Sequence, residues 1–240
     1  MYTRLQRRSR SLTWGQAVMN NMKITYEAVK ANPSVETYIK KADESLKALG
    51  YTEHSFAHVT KVAVVASDIL KILGYSEQEI ELAKIAGYLH DIGNVVNRID
   101  HAQSGAVMAF RILDKMGADD EDIATIITAI GNHDESTAYP VNPVAAALIL
   151  ADKTDVRYTR VRNQDFATFD IHDRVNYSVK ESEVIVRKGE CIELNLTIDT
   201  KECSVANYFE IFLNRMILCK KAAERLDYAF RLVINGQQLM

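Results

Sequence analysis

The sequence predicts a mainly α-helical fold with a small α+β unit at its C-terminal end, and three observations predict it. Apolar residues recur at spacings of three and four from about residue 35 to residue 163, the period of helices that bury one face. Stop and start signals break that pattern at short intervals, which divides it into a bundle of helices. Near residue 180 the period changes to alternation, the period of half-buried strands. The chain therefore divides into an N-terminal arm and helix over 1–34, a helical domain over 35–175 and a small α+β unit over 176–240.

Taken in order, "HSFAHVTKVAVVASDILKIL" is a helix that stops at Gly74, and Ser76 with Glu79 three residues on forms a capping box for the next. That next helix runs through Ile80, Leu82, Ala83, Ile85, Ala86 and Leu89 to His90, with Gly93 as its C-terminal cap. Further helices are expected over 102–117, stopped by Gly117, over 119–131, capped by Asp119, and over 143–162, started by Asn142 and Pro143. In "EVIVRKGECIELNLTID", Ile192, Leu194, Leu196 and Ile198 share a face, and Lys188-Gly189 can turn the chain back on Val184 to Val186. A long helix over 203–226 follows, burying Val205, Phe209, Phe212, Met216, Cys219 and Ala223, and then a strand through Phe230, Leu232 and Ile234.

Composition narrows the function classes. A chain of 240 residues with 48% hydrophobic residues can bury a sizeable core. A net charge of −3, from 29 basic and 32 acidic residues, gives no support for a broad nucleic-acid surface. The three cysteines, Cys191, Cys203 and Cys219, form neither a paired framework nor a CxxC, so a reducing cytoplasm is the expected location. No apolar run reaches the ~18 residues of a membrane span, and the arginines of "MYTRLQRRSRSLTWGQ" have no signal-peptide core behind them, so they read as a solvated arm. Sequences GxxxxGK, GxGxxG and GxSxG are absent, which removes simple P-loop, dinucleotide and nucleophile-elbow proposals. An exposed edge strand in the C-terminal hairpin makes a homodimer a reasonable partner expectation.

The chemistry concentrates in one ordered set. Five of the six histidines, His54, His58, His90, His101 and His133, fall within residues 54–133, and with Asp91 and Asp152 they lie at the ends of successive helices. A lone histidine is usually a surface or satisfied core residue; an ordered series at helix ends can converge on one point. A hard or borderline divalent ion such as Mn²⁺, Fe²⁺ or Mg²⁺ prefers a mixed imidazole and carboxylate shell. Neighbours on a helix point about 100° apart, so His90 and Asp91 can both reach an ion only where the helix ends.

The segments "FAHVTKVAVVA", "LHDIGN", "HAQSGA", "GNHDE" and "LILADKTD", in that order over about a hundred residues, resemble the HD-domain superfamily of metal-dependent phosphohydrolases. The resemblance implies an HD-type helical bundle and one ion held by His58, His90, Asp91 and Asp152. His58 is preferred to His54 because Lys61, Val62, Ala63 and Ala66 follow it in the family's register. His54, one turn earlier on the same face, either reaches the substrate or caps the helix. In the binuclear branches two more histidines hold a second ion, and His101 and His133 match them; that arrangement is favoured here over a single ion. Asp91 would then bridge the ions and help to orient the nucleophile, and His54 is the second candidate catalytic residue.

The implied activity is hydrolysis of phosphoester or phosphoanhydride bonds, of a nucleotide, by metal-activated water. Lys153, Arg157 and Arg160 are the candidate substrate-binding residues, set one turn apart on the expected helix over 143–162, although a solvated basic face pairing with Asp155 and Asp165 explains them as well. The lack of a GYP triad separates the chain from the cyclic-di-GMP phosphodiesterase branch, and Asn94 stands where a lysine is common. The spacing is closer to the branch that cleaves symmetric diadenosine tetraphosphate, from which "NHDEST" departs. Two other classes use the same ligands: a nucleotide- or metal-sensing regulatory module without turnover, and a di-iron oxygenase. The second His-Asp pair, His172-Asp173, reads as a loop or cap.

Overall fold

A computed structural model describes residues 23–240, so the arginine-rich arm lies outside the described residues. Helices α1 (Tyr26–Lys30) and α2 (Pro33–Ala48) open it. Asn32 caps α2 through Ser34 N and Pro33 occupies its first turn, so the boundary expected at 34/35 falls just inside this helix. Val35, Ile39, Ala42 and Leu46 turn one face of α2 to the core.

Four of the expected helices follow: α3 (Phe56–Leu73), α4 (Glu77–Leu89), α5 (His101–Lys115) and α6 (Asp120–Gly131). Gly74 ends α3 in the left-handed conformation at φ 89°, and both bonds of the Ser76/Glu79 capping box are made at the start of α4. Helix α7 (Pro143–Lys153) begins as expected, with the Asn142 side chain accepting from Ala145 N at 2.7 Å. Every residue from Val144 to Ala151 is buried, the signature of a helix enclosed on all sides. Helices α3, α4 and α6 pack around it.

Two local expectations are corrected. The helix expected over 143–162 stops at Lys153, because Asp155 is drawn into the interior, 1% exposed, and the chain is extended by Arg157 (φ −162°, ψ 149°). Lys153, Arg157 and Arg160 therefore share no helix face. Gly93 is not the C-terminal cap of α4; it lies in a 3-10 turn, Ile92–Val95, where a Cβ would collide with the carbonyl oxygen of His101 and sit 2.5 Å from Gly105 N. Only the bare backbone lets the exit of α4 press against the start of α5.

The C-terminal unit consists of α8 (Ile171–Ser178), β1 (Val179–Arg187), β2 (Cys191–Ile198), α9 (Val205–Arg225), β3 (Ala229–Ile234) and the short β4 (Gln237–Gln238). Helix α8 runs directly into β1, so the boundary expected at 175/176 falls inside it. His172 and Asp173 lie in its first turn, and the capping role belongs to Asp170, which accepts from Asp173 N at 2.8 Å. The hairpin pairs Val184 with Leu194 and Val186 with Ile192. Strand β3 lies parallel to β2, which requires a crossover, and α9 supplies it. Along α9, Tyr208 takes the interior position expected for Phe209, which is half-buried; Phe212, Met216, Cys219 and Ala223 complete the stripe. That stripe packs on α7, and one apolar core runs from bundle to sheet. The three cysteines are free and buried. Among the described residues, no helix is long and apolar enough to cross a membrane.

Gly93→Ala should cost about 3 kcal/mol or more, because both atoms it meets first belong to backbone, and should lower Tm by roughly 6–12 °C. Thermal denaturation followed by circular dichroism checks this; an unchanged Tm would contradict the close contact of α4 with α5.

Candidate metal centre

Six side chains from five places in the bundle meet at one point. His58 comes from α3, His90 and Asp91 from the exit of α4, His101 from the first turn of α5, His133 from just beyond α6 and Asp152 from the last turn of α7. All are buried except Asp152, which is half-buried. At Gly87 a Cβ would lie 2.7 Å from Ala63 Cα, so this glycine lets α4 approach α3 and brings the His58 and His90 rings to 5.2 Å.

The imidazoles are oriented one by one. Nδ1 of His90 lies 2.8 Å from Gly87 O, that of His101 3.0 Å from Arg98 O, and that of His133 2.6 Å from Ile130 O. A carbonyl only accepts, so each Nδ1 carries the proton and each Nε2 is left as the inward nitrogen. His58 Nδ1 is fixed instead by Asp155 Oδ2 at 2.8 Å. This carboxylate–imidazole pair is the usual outer support of a metal-ligating histidine.

The inward atoms form two groups that share Asp91. Asp91 Oδ2 lies 3.6 Å from His58 Nε2 and 3.2 Å from His90 Nε2, and Asp152 Oδ1 closes that side at 3.3 and 3.7 Å from the same nitrogens. Asp91 Oδ1 lies 3.5 Å from His101 Nε2 and 3.9 Å from His133 Nε2. Two ligands bound at about 2.1 Å to one ion sit about 3.0–3.4 Å apart, close to these spacings. His58 Nε2 and His90 Nε2 are buried with no hydrogen-bond partner, and His101 Nε2 faces His133 Nε2 at 3.2 Å. Buried nitrogens so arranged are costly unless something electropositive lies between them, so the residues present fit a bound cation. Asn94 steadies Asp91, donating from Nδ2 to its Oδ1 at 2.9 Å.

The electrostatics agree with a cation site. Burial alone would lower His90, but the charges of Asp91 and Asp152 outweigh it and push the ring up to about 10. Burial, with the charges of His90 and Lys153, pulls His133 down to about 3. Burial works against ionised Asp91 and Asp152 too, yet His90 beside the first, and Lys153 with His58 beside the second, hold both carboxyls well below the usual range. For His54, burial and the charge of Arg160 keep the ring well below its ordinary value, hence neutral.

A cavity of about 340 Å³ opens on this centre, with Asp91, His101 and Asp152 in its lining. His54 lines it from the loop before α3, not from the helix face expected; Ser55 is the cap, and His54 Nδ1 meets Thr52 O at 2.7 Å. Lys153 and Arg160 line it, the first bound to Asp152 Oδ2 at 2.8 Å and the second to Asp155 O at 2.7 Å and Glu53 O at 2.9 Å. Arg157 is not in the lining, and its guanidinium is engaged by Asp155 at 2.9 Å.

Several residues escaped the reading of the sequence. Asp155 is not the partner of a solvated face but the buried anchor of His58, Lys61, Arg157 and Arg160. Its position three residues after Asp152 was the available signal. Phe212 and Arg215 of α9 reach the cavity from a helix whose spacing marks it only as core, and Asp170, His172, Asp173 and Asn176 reach it from α8.

Residues 55–157 match the family model of the HD domain, and that segment contains His58, His90, Asp91, His101, His133 and Asp152. Over 212 residues the chain is 28% identical to an uncharacterized protein of Methanocaldococcus jannaschii, covering 79% of this chain and 80% of the relative. A solved structure, described as a predicted HD superfamily hydrolase from an uncultured Thermotogales bacterium, shares 25% identity at a TM-score of 0.39 over 55% of this chain and 73% of its own.

Asp155→Asn keeps the shape but removes the charge that fixes His58, and should weaken Mn²⁺ binding about 10- to 100-fold. Competition against a chelating dye measures it, and an affinity within about twofold of the natural chain would detach Asp155 from the centre.

Proposed function

With residues 55–157 an HD domain, we propose that this chain is a metal-dependent hydrolase of phosphoester or phosphoanhydride bonds in a nucleotide, using two divalent ions, Mn²⁺, Fe²⁺ or Mg²⁺. One observation carries the choice of two ions: the oxygens of Asp91 face different histidine pairs, Oδ2 toward His58 and His90 and Oδ1 toward His101 and His133. A single ion would leave one of these pairs without a partner.

Bound there, divalent ions supply Lewis acidity and an acidified water. Asp91 keeps the two halves of the site in register, and Asn94 keeps Asp91 in place. The attacking water forms a bond to phosphorus while the bond to the leaving oxygen breaks; one of the water's protons passes to the leaving oxygen and the other stays on the released phosphate. Lys153 and Arg160, each pinned by its own hydrogen bonds, set positive charge in the cavity wall where the phosphoryl oxygens gain charge. Because these cations are fixed before the reaction, little reorganisation accompanies it. His54, neutral and with Nδ1 donating to Thr52 O, keeps Nε2 to accept a hydrogen bond from water or a substrate hydroxyl, so it orients and does not carry a proton. Arg157 acts indirectly, as part of the cage that holds Asp155.

Elemental analysis of protein purified without oxygen or chelator should find two ions in the natural chain and one in His101→Ala. Asp91→Ala should lose both and cut phosphate release at least about 1000-fold, the share that several kcal/mol of charge stabilisation represents. One ion in both the natural chain and His101→Ala, or a fully active Asp91→Ala, would overturn the reading.

A further inference from the structure

The cavity over the metal centre has walls of opposite charge. On one, Lys153 and Arg160 are joined by Arg215 of α9, whose guanidinium lies 4.4 Å from the centre of the Phe212 ring and is ion-paired with Glu135. Lys153 is paired with Asp152, and the three cations line the same cavity and can surround one phosphate group. The other wall comes from the first two turns of α8, with Asp170, Asp173 and Asn176 in the lining. Its groups are mainly acceptors: Asp173 is a carboxylate, and Asn176 spends Nδ2 on His172 O at 2.9 Å, which leaves its Oδ1. Arg215 and the acceptor wall belong to helices outside residues 55–157.

We infer that α8 and α9 select a phosphomonoester whose organic end carries hydroxyl groups, with its single phosphate at Lys153, Arg160 and Arg215 and its hydroxyls donating to Asp173 and Asn176. The inference rests on the proposed hydrolase reading and narrows its substrate. Charge decides against longer phosphate chains, since added phosphates would meet the carboxylates of Asp170 and Asp173, and like charges at close range are unfavourable. Size agrees: at about 340 Å³ the cavity is near the lower end of the range of ligand pockets, of a size for one sugar phosphate or mononucleotide. An alcohol donating to the half-buried carboxylate of Asp173, which among the described residues otherwise meets only Asn163 Nδ2 at 3.5 Å, makes a charge-assisted hydrogen bond that an apolar ester cannot make.

The test uses the full chain loaded with Mn²⁺ and four probes: ribose 5-phosphate, adenosine 5′-monophosphate, adenosine 5′-triphosphate and p-nitrophenyl phosphate. Binding is read by calorimetry and turnover by phosphate release. The natural chain should bind the two hydroxylated monophosphates at least about 10-fold more tightly than either other probe. Asp173→Asn and Asn176→Ala should each raise KM for the hydroxylated monophosphates about 10-fold, leaving kcat, metal content and the KM for p-nitrophenyl phosphate unchanged. Arg215→Ala should raise KM for every monophosphate, with partial recovery in Arg215→Lys. Preference of the natural chain for the triphosphate, or unaltered selectivity in both α8 variants, overturns the inference while any hydrolysis observed leaves the hydrolase reading standing. Selective binding of the monophosphates without phosphate release overturns the hydrolase reading and leaves the selectivity in place; no binding of any probe overturns both.

Discussion

The hydrogen bond from His58 Nδ1 to the buried carboxylate of Asp155, 2.8 Å long, is the constraint on which the rest of the centre depends. It ties α3 to the chain just beyond α7 and fixes which nitrogen of His58 points inward. It also explains the cations around it. A buried carboxylate is tolerable only when paired; the His58 hydrogen bond, then Arg160 and Arg157, outweigh burial and hold the carboxyl well below the usual range, and Lys61 pairs with it as well. Arg160 in turn bonds to Glu53 O, so the loop that carries His54 is set by the same carboxylate.

The other histidines of the candidate centre are oriented by shorter-range means. His90, His101 and His133 each give Nδ1 to the carbonyl three residues earlier, a bond that a residue at a helix end can make to its own turn. Their tautomers are thus settled locally, before the helices meet. What tertiary structure adds is the distance between them, and glycines control it: Gly87 lets α4 close on α3, and Gly93 lets the turn after α4 close on α5. The chemistry is local and the convergence is packing.

That division explains what could be read in the sequence. Helix starts at Ser76, Asp119 and Asn142 were legible because capping is a local interaction, and so was the hairpin pairing Val184 with Leu194. The ordered histidines and Asp91 were visible as a series of chemical types at helix ends, and the HD resemblance gave that series its register. The end of α7 was not legible, because the helix stops where a charged residue is pulled inside by partners as far away as His58, and periodicity carries no trace of that. Gly93 looked like a cap because its use, contact with another backbone, is long-range. Phe212 and Arg215 looked like core and surface, since nothing in α9 indicates which cavity its middle turns face.

The parallel pairing of β2 with β3 bears on how the molecule is assembled. The hairpin of β1 and β2 can form from neighbouring residues, whereas β3 can join only after α9 has crossed the bundle, a closure that loop entropy makes slow. Every side chain of the candidate centre precedes that crossing in the chain, and Arg215 lies within it. During synthesis the chain therefore acquires the whole cluster of histidines and carboxylates before the helix that brings Arg215 to the same cavity.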